Sequence, residues 1–489
     1  MDKSFKSDFI KGSAAASMGT VVAMAFQFLS IVIITRYVTK EEFGIYVLII
    51  AISSFLDTVS GLALEQSLVK FISSADNLER RSTFIPILII RIIIIITAVI
   101  LLFIFGKSLM PLFDFTAIEF LDVIIILFVL SSLRGLFYNL LQGMNLFKKY
   151  ASVQTITSII RVAILLILAY YHNLTLKNVL IVEIAAITFT VLLQMVLVPY
   201  KEIFHWNLNL KKIKKILNFS FPLYFSGISY FIQTQVNVFI ISAYLNPISI
   251  ANYDIAGKIP QASAKGFQSF IIVFFPNLSR LLSLGERDSA MKLINKSLLT
   301  FSILINLLLL ISFLFNKEII LLLFSSVYLD SAMAFSLMMV AFYLTSMSNI
   351  MGYSLVSAGL PSLTLKVNIA AGAINLIGAF VMVPLWGFMG AVYSILLTGL
   401  SSLLFHYFYL TRYDMQIDLI SFIKPSTITI TALLFYYLFI PNNLILKIIL
   451  FIVYLIAIYF VLPEAKEIFN QITKYLFKSK SEDKGERIW

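Results

Sequence analysis

The chain has 489 residues, 60% of them hydrophobic and only 13% charged, with a formal net charge of +12 and no cysteine. A soluble globular protein carries nearer ~25% charged residues, so a soluble fold is excluded, and runs of ~20 apolar residues fit membrane helices rather than the alternating pattern of an outer-membrane barrel. The missing cysteines exclude disulfide frameworks, thiolate metal sites and thiol nucleophiles, and the basic excess, gathered in short loops between apolar runs, marks membrane topology rather than nucleic-acid binding.

The N-terminal stretch MDKSFKSDFIKGSAAASMGTVVAMAFQFLSIVIITR starts basic and stays apolar for longer than a signal-peptide core, which predicts a retained first span. The predicted spans, about fourteen, are 12–35, 44–69, 84–106, 118–143, 151–171, 176–199, 219–245, 251–278, 293–315, 331–354, 363–384, 387–411, 421–440 and 443–462. The run EIILLLFSSVYL at 318–329 is too short for a span and reads as an interfacial segment. Alternate loops collect about 26 Lys and Arg on one side against about 6 on the other, so both termini are expected to be cytoplasmic. Between the sixth and seventh spans, KEIFHWNLNLKKIKKILN places Ile213, Ile216 and Leu217 on one face with lysines around them, the pattern of an amphipathic helix on the cytoplasmic membrane surface.

The halves on either side of that linker look like repeats. YVTKEEFGIYVL after the first span parallels YLNPISIANYDIAGKI after the seventh, and LLQGMNLFKKYASVQTITSIIRV parallels LVSAGLPSLTLKVNIAAGAINLI at a similar offset of roughly 210 residues. The expected organisation is therefore an all-α membrane protein with an N-terminal lobe (1–200, helices 1 to 6) and a linker (201–218). A C-terminal lobe (219–412, helices 7 to 12), two further helices (413–463) and a basic cytoplasmic tail (464–489) complete it.

Charges inside the spans carry the functional signal. Arg91, Arg134 and Arg161 fall roughly 13 to 17 Å from the cytoplasmic ends of their helices at 1.5 Å per residue, near the midplane. Lys258 and Lys265, seven residues apart, share one face of the eighth span. A charge at that depth costs at least ~2.5 kcal/mol on insertion scales, which makes a function its default explanation. Arginine offers bidentate geometry to phosphate oxygens and lysine a mobile point charge, so these five residues are candidate contacts to a pyrophosphate. Pairing with a buried acid, as of Arg161 with Glu183, is the structural alternative. The acids Asp57, Glu65 and Glu183 are candidates for Na⁺ or H⁺ coupling or for such pairing. Gln233, Gln235, Asn237, Asn368 and Asn375 suit sugar hydroxyls but fit helix–helix hydrogen bonds better. His172, His205 and His406 have no metal-ligand spacing, and no P-loop is present, so no catalytic constellation or ATP site is expected.

The order RYVTKEEFGIYVL, LLQGMNLFKKYASV, FSFPLYFSGISYFIQTQVNVFI, YDIAGKIPQ with FFPNLSRL, and SAGLPSLTLKVNIAAGAINLIGAFVMVPLWGFMGAVYS resembles the polysaccharide-transporter branch of the multidrug/oligosaccharidyl-lipid/polysaccharide flippase superfamily, over about residues 10–460. The type it most resembles is the bacterial O-antigen or capsule repeat-unit flippase. The resemblance implies a V-shaped bundle of two lobes around a central cavity in the bacterial cytoplasmic membrane. It also implies translocation of polyprenyl-pyrophosphate-linked oligosaccharides by alternating access, without bond chemistry or a cofactor, and a polysaccharide polymerase as a further partner. The lipid-linked peptidoglycan precursor flippase, a relative, looks arginine-rich in its first helix. Nothing basic lies here between Lys11 and Arg36, which favours an exopolysaccharide unit. A multidrug/cation antiporter of the same superfamily is the competing transport reading, disfavoured by the excess of buried bases. A membrane polymerase or glycosyltransferase would call for a large polar loop, and the external loops are short.

Overall fold

A chain in lipid must satisfy every backbone N–H and C=O within itself, which leaves helices as the solution for long apolar runs. The computed structural model describes residues 3–73, 77–109, 119–204, 210–415, 417–439, 443–462 and 466, and there is no strand among them. The helices are α1 (Lys3–Tyr37), α2 (Lys40–Gly61), α3 (Leu64–Ser73), α4 (Asn77–Leu109), α5 (Leu121–Gly143), α6 (Phe147–Tyr170), α7 (Leu176–Leu197), α8 (Tyr200–Ile203) and α9 (Leu210–Tyr244). They continue as α10 (Pro247–Ser283), α11 (Arg287–Leu314), α12 (Asn316–Leu323), α13 (Ala332–Ser357), α14 (Pro361–Trp386), α15 (Phe388–Arg412), α16 (Leu419–Phe439) and α17 (Leu444–Val461), with a 3-10 turn at Ser326–Ser331.

Among the described residues the fourteen expected segments lie largely in helix, and by length and composition 11 helices are long and apolar enough to cross a membrane. The others are α9 and α10, whose lysines, prolines and amides dilute the apolar windows, and α16, whose apolar part is the shorter Ile423–Phe439. The expected second span is two helices, α2 and α3, divided at Leu62–Ala63. Of the expected linker, residues 210–218 run without interruption into the seventh segment as the first turns of α9. His205 and the basic tail, apart from Lys466, lie outside the described residues.

The chain separates into two compact units. The first comprises Met1–Ile255, Leu323–Tyr328 and Asn375–Ala391; the second comprises Ala256–Leu322, Leu329–Ile374 and Val392–Trp489. In the first unit the sequence VTKEEFG builds the start of α2 through a capping box: the Thr39 hydroxyl accepts from the Glu42 backbone N–H at 3.3 Å, and the Glu42 carboxylate accepts from the Thr39 N–H at 3.2 Å. One turn on, Gly44 lies so close to the carbonyl of Pro247, the first residue of α10, that a Cβ there would stand inside its van der Waals radius. The two corner segments that the sequence pairs thus pack on one another. Close approach also joins α1 to α6, where the Thr155 hydroxyl donates to the Gly19 carbonyl at 3.0 Å.

In the second unit α11, α13 and α16 share a buried hydroxyl and amide network. Ser426 Oγ donates to Tyr343 Oη at 2.8 Å, Asn306 Nδ2 donates to Ser426 Oγ at 3.1 Å, and Ser302 lies 3.1 Å from the same tyrosine. Below it Leu310, Leu314, Tyr436, Leu450 and Tyr454 form an apolar core that holds α16 and α17 against α11. The other pair of parallel segments ends in the same turn. Leu146 N–H bonds to Leu141 O after α5, and Leu360 N–H to Leu355 O after α13, each around one left-handed residue, Asn145 (φ 58°) or Gly359 (φ 81°).

Gly44→Val is expected to destabilise the chain by about 1–3 kcal/mol, because α2 and α10 must part to admit the side chain. Thermal unfolding in detergent reads this directly, and an unchanged midpoint would show that the two corners are not in contact.

Candidate functional site

Arg91, in the isoleucine-rich stretch of α4, is only 1% exposed. Its charge is held by two carboxylates on the two sides of a helix break. Nη2 contacts Asp57 Oδ1, in the last turns of α2, and lies 3.1 Å from Glu65 Oε1, in the first turn of α3. Ser132 of α5 donates to the same Asp57 oxygen at 2.7 Å. The break is what brings the acids together: Leu62 (φ 48°) and Ala63 (φ 53°) both adopt the left-handed conformation, which costs a non-glycine residue roughly 1–2 kcal/mol. Gly61 makes room beside it, since a Cβ there would sit 3.3 Å from Arg91 Nη1. The Val59 carbonyl, left open by the end of α2, accepts from the Tyr224 hydroxyl of α9 at 2.8 Å.

A second ion pair lies in the same unit. Arg161 Nη2 of α6 is 2.7 Å from Glu183 Oε2 of α7, both largely buried, as the sequence suggested. Tyr46 of α2 completes it, accepting from Arg161 Nη2 at 3.0 Å and donating to Glu183 Oε2 at 3.3 Å.

The remaining sequence candidates lie differently. Arg134, midway along α5, has an exposed side chain and no ion pair among the described residues; it follows Ser132 by two positions and precedes Gly135, which faces Glu65. Lys265, midway along α10, is likewise exposed without an ion pair among the described residues, while Lys258, two turns earlier, is half-buried. The three arginines belong to the first unit and the two lysines to the second. Asn237 and Asn375, both buried, act as helix–helix ties: Asn237 Nδ2 donates to Tyr253 Oη at 3.2 Å, and Asn375 Nδ2 to the Gln233 carbonyl at 3.2 Å. His406 is buried with Nδ1 2.8 Å from Ser348 Oγ, a packing contact between α15 and α13.

Sequence reasoning missed Tyr46, Ser132 and the helix break. The adjacent GLALE holds one usable signal, a glycine eight residues ahead of Val69 and four ahead of Glu65 in an otherwise apolar span; Leu and Ala give none, because both favour helix. The pairing of Arg91 with Asp57 and Glu65 spans 34 and 26 positions and needs the tertiary fold.

Paired buried charges at a discontinuous helix, within a bundle of long apolar helices, mark an integral membrane protein. The sequence matches the model of the family described as "Polysaccharide biosynthesis protein" over residues 9–282, more than half of the chain, and the chain belongs to that family. It is 20% identical over 397 residues to the capsular polysaccharide biosynthesis protein CapF of Staphylococcus aureus, covering 81% of this chain and 97% of that one. Its fold is similar to that of the lipid II flippase MurJ in an inward closed conformation, with a TM-score of 0.74, 16% identity, and coverage of 91% of this chain and 98% of that one. It is also similar to an inward-facing multidrug resistance transporter of the MATE family, with a TM-score of 0.63, 13% identity, and coverage of 80% and 95%.

Removing one partner of a buried ion pair strands the other charge. Arg161→Met or Glu183→Leu alone is therefore expected to cost about 3–5 kcal/mol, and the double substitution to recover most of that loss. Thermal unfolding of the three variants checks this; losses that simply add would show that the pair is not coupled.

Proposed function

We propose that this chain carries polyprenyl-pyrophosphate-linked oligosaccharide repeat units across the bacterial cytoplasmic membrane by alternating access, for the synthesis of O-antigen, capsule or another exopolysaccharide. The observation that carries the reading is the division of the buried charge. Asp57 and Glu65 are committed to Arg91 and Glu183 to Arg161, while Arg134 and Lys265 expose their charges midway along α5 and α10 with no ion pair among the described residues. A cation kept at that depth without an acid suits an anionic cargo. Membership of a polysaccharide biosynthesis family and the MurJ-like fold support a lipid-linked substrate.

In this reading Arg134 of the first unit, and Lys258 and Lys265 of the second, are each candidate contacts to the pyrophosphate. Arg91 and Arg161 contribute when their acids release them. The polyprenyl tail stays in lipid, no bond is made or broken, and both termini are cytoplasmic, as the basic loops indicate. A polysaccharide polymerase is the partner that would receive the flipped unit. The lobe division at 200 and 219 belongs to the same proposal, as does coupling to Na⁺ or H⁺ through Asp57, Glu65 or Glu183. Antiport of cationic drugs is the reading that the MATE-like fold keeps open; it calls for exposed acids, where the exposed midspan charges here are basic.

Arg134→Ala and Lys265→Ala are expected to leave the protein in the membrane at normal amount and to lower surface polysaccharide at least about tenfold, the loss of roughly 1.4 kcal/mol in one charge-assisted contact. Quantifying cell-surface polysaccharide against protein level tests this. Normal export from both variants and from their double would overturn the cationic-contact reading, and resistance to a cationic dye that depends on these residues would point to the drug antiporter.

A further inference from the structure

Two carboxylates share one nitrogen of Arg91. Asp57 and Glu65 both reach Nη2, while Nε and Nη1, equally buried, find no hydrogen-bond partner among the described residues. Two negative charges against one positive leave the cluster one charge short of neutral. A guanidinium buried with most of its donors idle has the means to hold a second acceptor. The two acids are not equivalent. Asp57 is fixed by both Ser132 and Arg91, and its side chain is 32% exposed. Glu65, 16% exposed, has the longer of the two contacts to Arg91, at 3.1 Å. Of the pair, Glu65 is the one that loses least by becoming neutral.

The other charged or titratable groups around the cluster leave this balance unchanged. On α5, Arg134 has an exposed side chain. On α9, Tyr224 is bound to the Val59 carbonyl, and Lys215 lies over the Phe71 ring. On α3, Lys70 is turned over the Phe219 ring, with its Nζ 3.7 Å from the ring centre. The Ser67 and Ser220 hydroxyls, 2.6 Å apart, satisfy each other. A metal ion is a poor fit, because the guanidinium already occupies the place a cation would take between the carboxylates. A proton neutralises one carboxylate without needing that space.

We propose that Glu65 is an exchangeable proton site linked to anion capture: a proton taken from solution onto a Glu65 carboxylate oxygen loosens its hold on Arg91 and turns the guanidinium fork to a diphosphate anion. The inference rests on the flippase reading and names one coupling residue within it. Binding of the anion and uptake of the proton favour each other, because the anion takes over the guanidinium from the carboxylate. The broken helix lets the exchange occur, since Asp57 and Glu65 sit on separate helices, α2 and α3, hinged at Leu62–Ala63.

The test is calorimetric titration of the purified full chain with geranyl pyrophosphate, between pH 5 and 8 and in two buffers of different ionisation enthalpy. Wild type is expected to take up about one proton more per ligand than Glu65→Gln, and to lose affinity about tenfold per pH unit on the alkaline side relative to that variant. The ligand's own ionisation cancels in this comparison. Arg91→Gln is expected to weaken binding and to abolish the excess proton. Infrared difference spectra of wild type alone give a second measurement, in which a protonated-carboxyl stretch should appear on adding the ligand. Equal proton uptake by wild type and Glu65→Gln, binding unaffected by Arg91→Gln, or no such stretch overturns the proton site and leaves the flippase reading intact. Absence of saturable binding by wild type at every pH overturns the anion-carrying reading itself.

Discussion

The cost of a guanidinium in hydrocarbon governs the first unit. Taking an ion out of water costs several kcal/mol even after the protein relaxes around it, and Arg91 is 1% exposed in a helix of isoleucines. Around that charge three local departures from regular helix make sense together. Gly61 clears space for the guanidinium, Leu62 and Ala63 accept left-handed strain to turn α3 back, and Glu65 arrives beside Asp57 on the far side of the break. Strain of this kind persists only where the surroundings over-determine it. Here the hydroxyls of Ser132 and Tyr224, from α5 and α9, fix the end of α2, and the Ser67–Ser220 contact ties α3 to α9.

The same electrostatics separates the remaining basic residues by environment. Arg161 is neutralised by Glu183 and tied by Tyr46 to α2, so α2, α6 and α7 are joined through one charge network. Arg134 and Lys265 have no such arrangement among the described residues. Under the proposed function, the unpaired cations are those available to an anionic cargo and the paired ones are held behind acids. The polar side chains of α9 and α14 divide similarly, with Asn237 and Asn375 spent on tying helices together.

Much of the helical content was legible in the sequence because apolar length is a strong signal, and Arg161 with Glu183 was legible because each is the one charge in the middle of its span. The break in the second span was not. Leucine and alanine favour helix, so apart from Gly61 nothing local announces a left-handed pair; the stabilisation comes from Arg91, some thirty residues away in sequence. The sequence marks 219–245 and 251–278 as spans, yet α9 and α10 are not among the helices apolar enough to cross a membrane, since Pro222 in α9 and Lys258, Lys265, Pro260 and Pro276 in α10 dilute their apolar windows. The parallel segments around Asn145 and Gly359 show the opposite case: two different residues, chosen for the same positive φ, mark equivalent turns. Which face of each helix the charges occupy was beyond the sequence, because it depends on packing partners.

The central claim is that this chain moves a completed lipid-linked oligosaccharide from one leaflet to the other. The most direct measurement is the mass and leaflet of the lipid-linked intermediates in cells depleted of the protein. A flippase predicts full-length repeat units, still on their polyprenyl pyrophosphate, accumulating on the cytoplasmic leaflet. Full-length units reaching the outer leaflet at the normal rate, or truncated sugars on the cytoplasmic side, would contradict it.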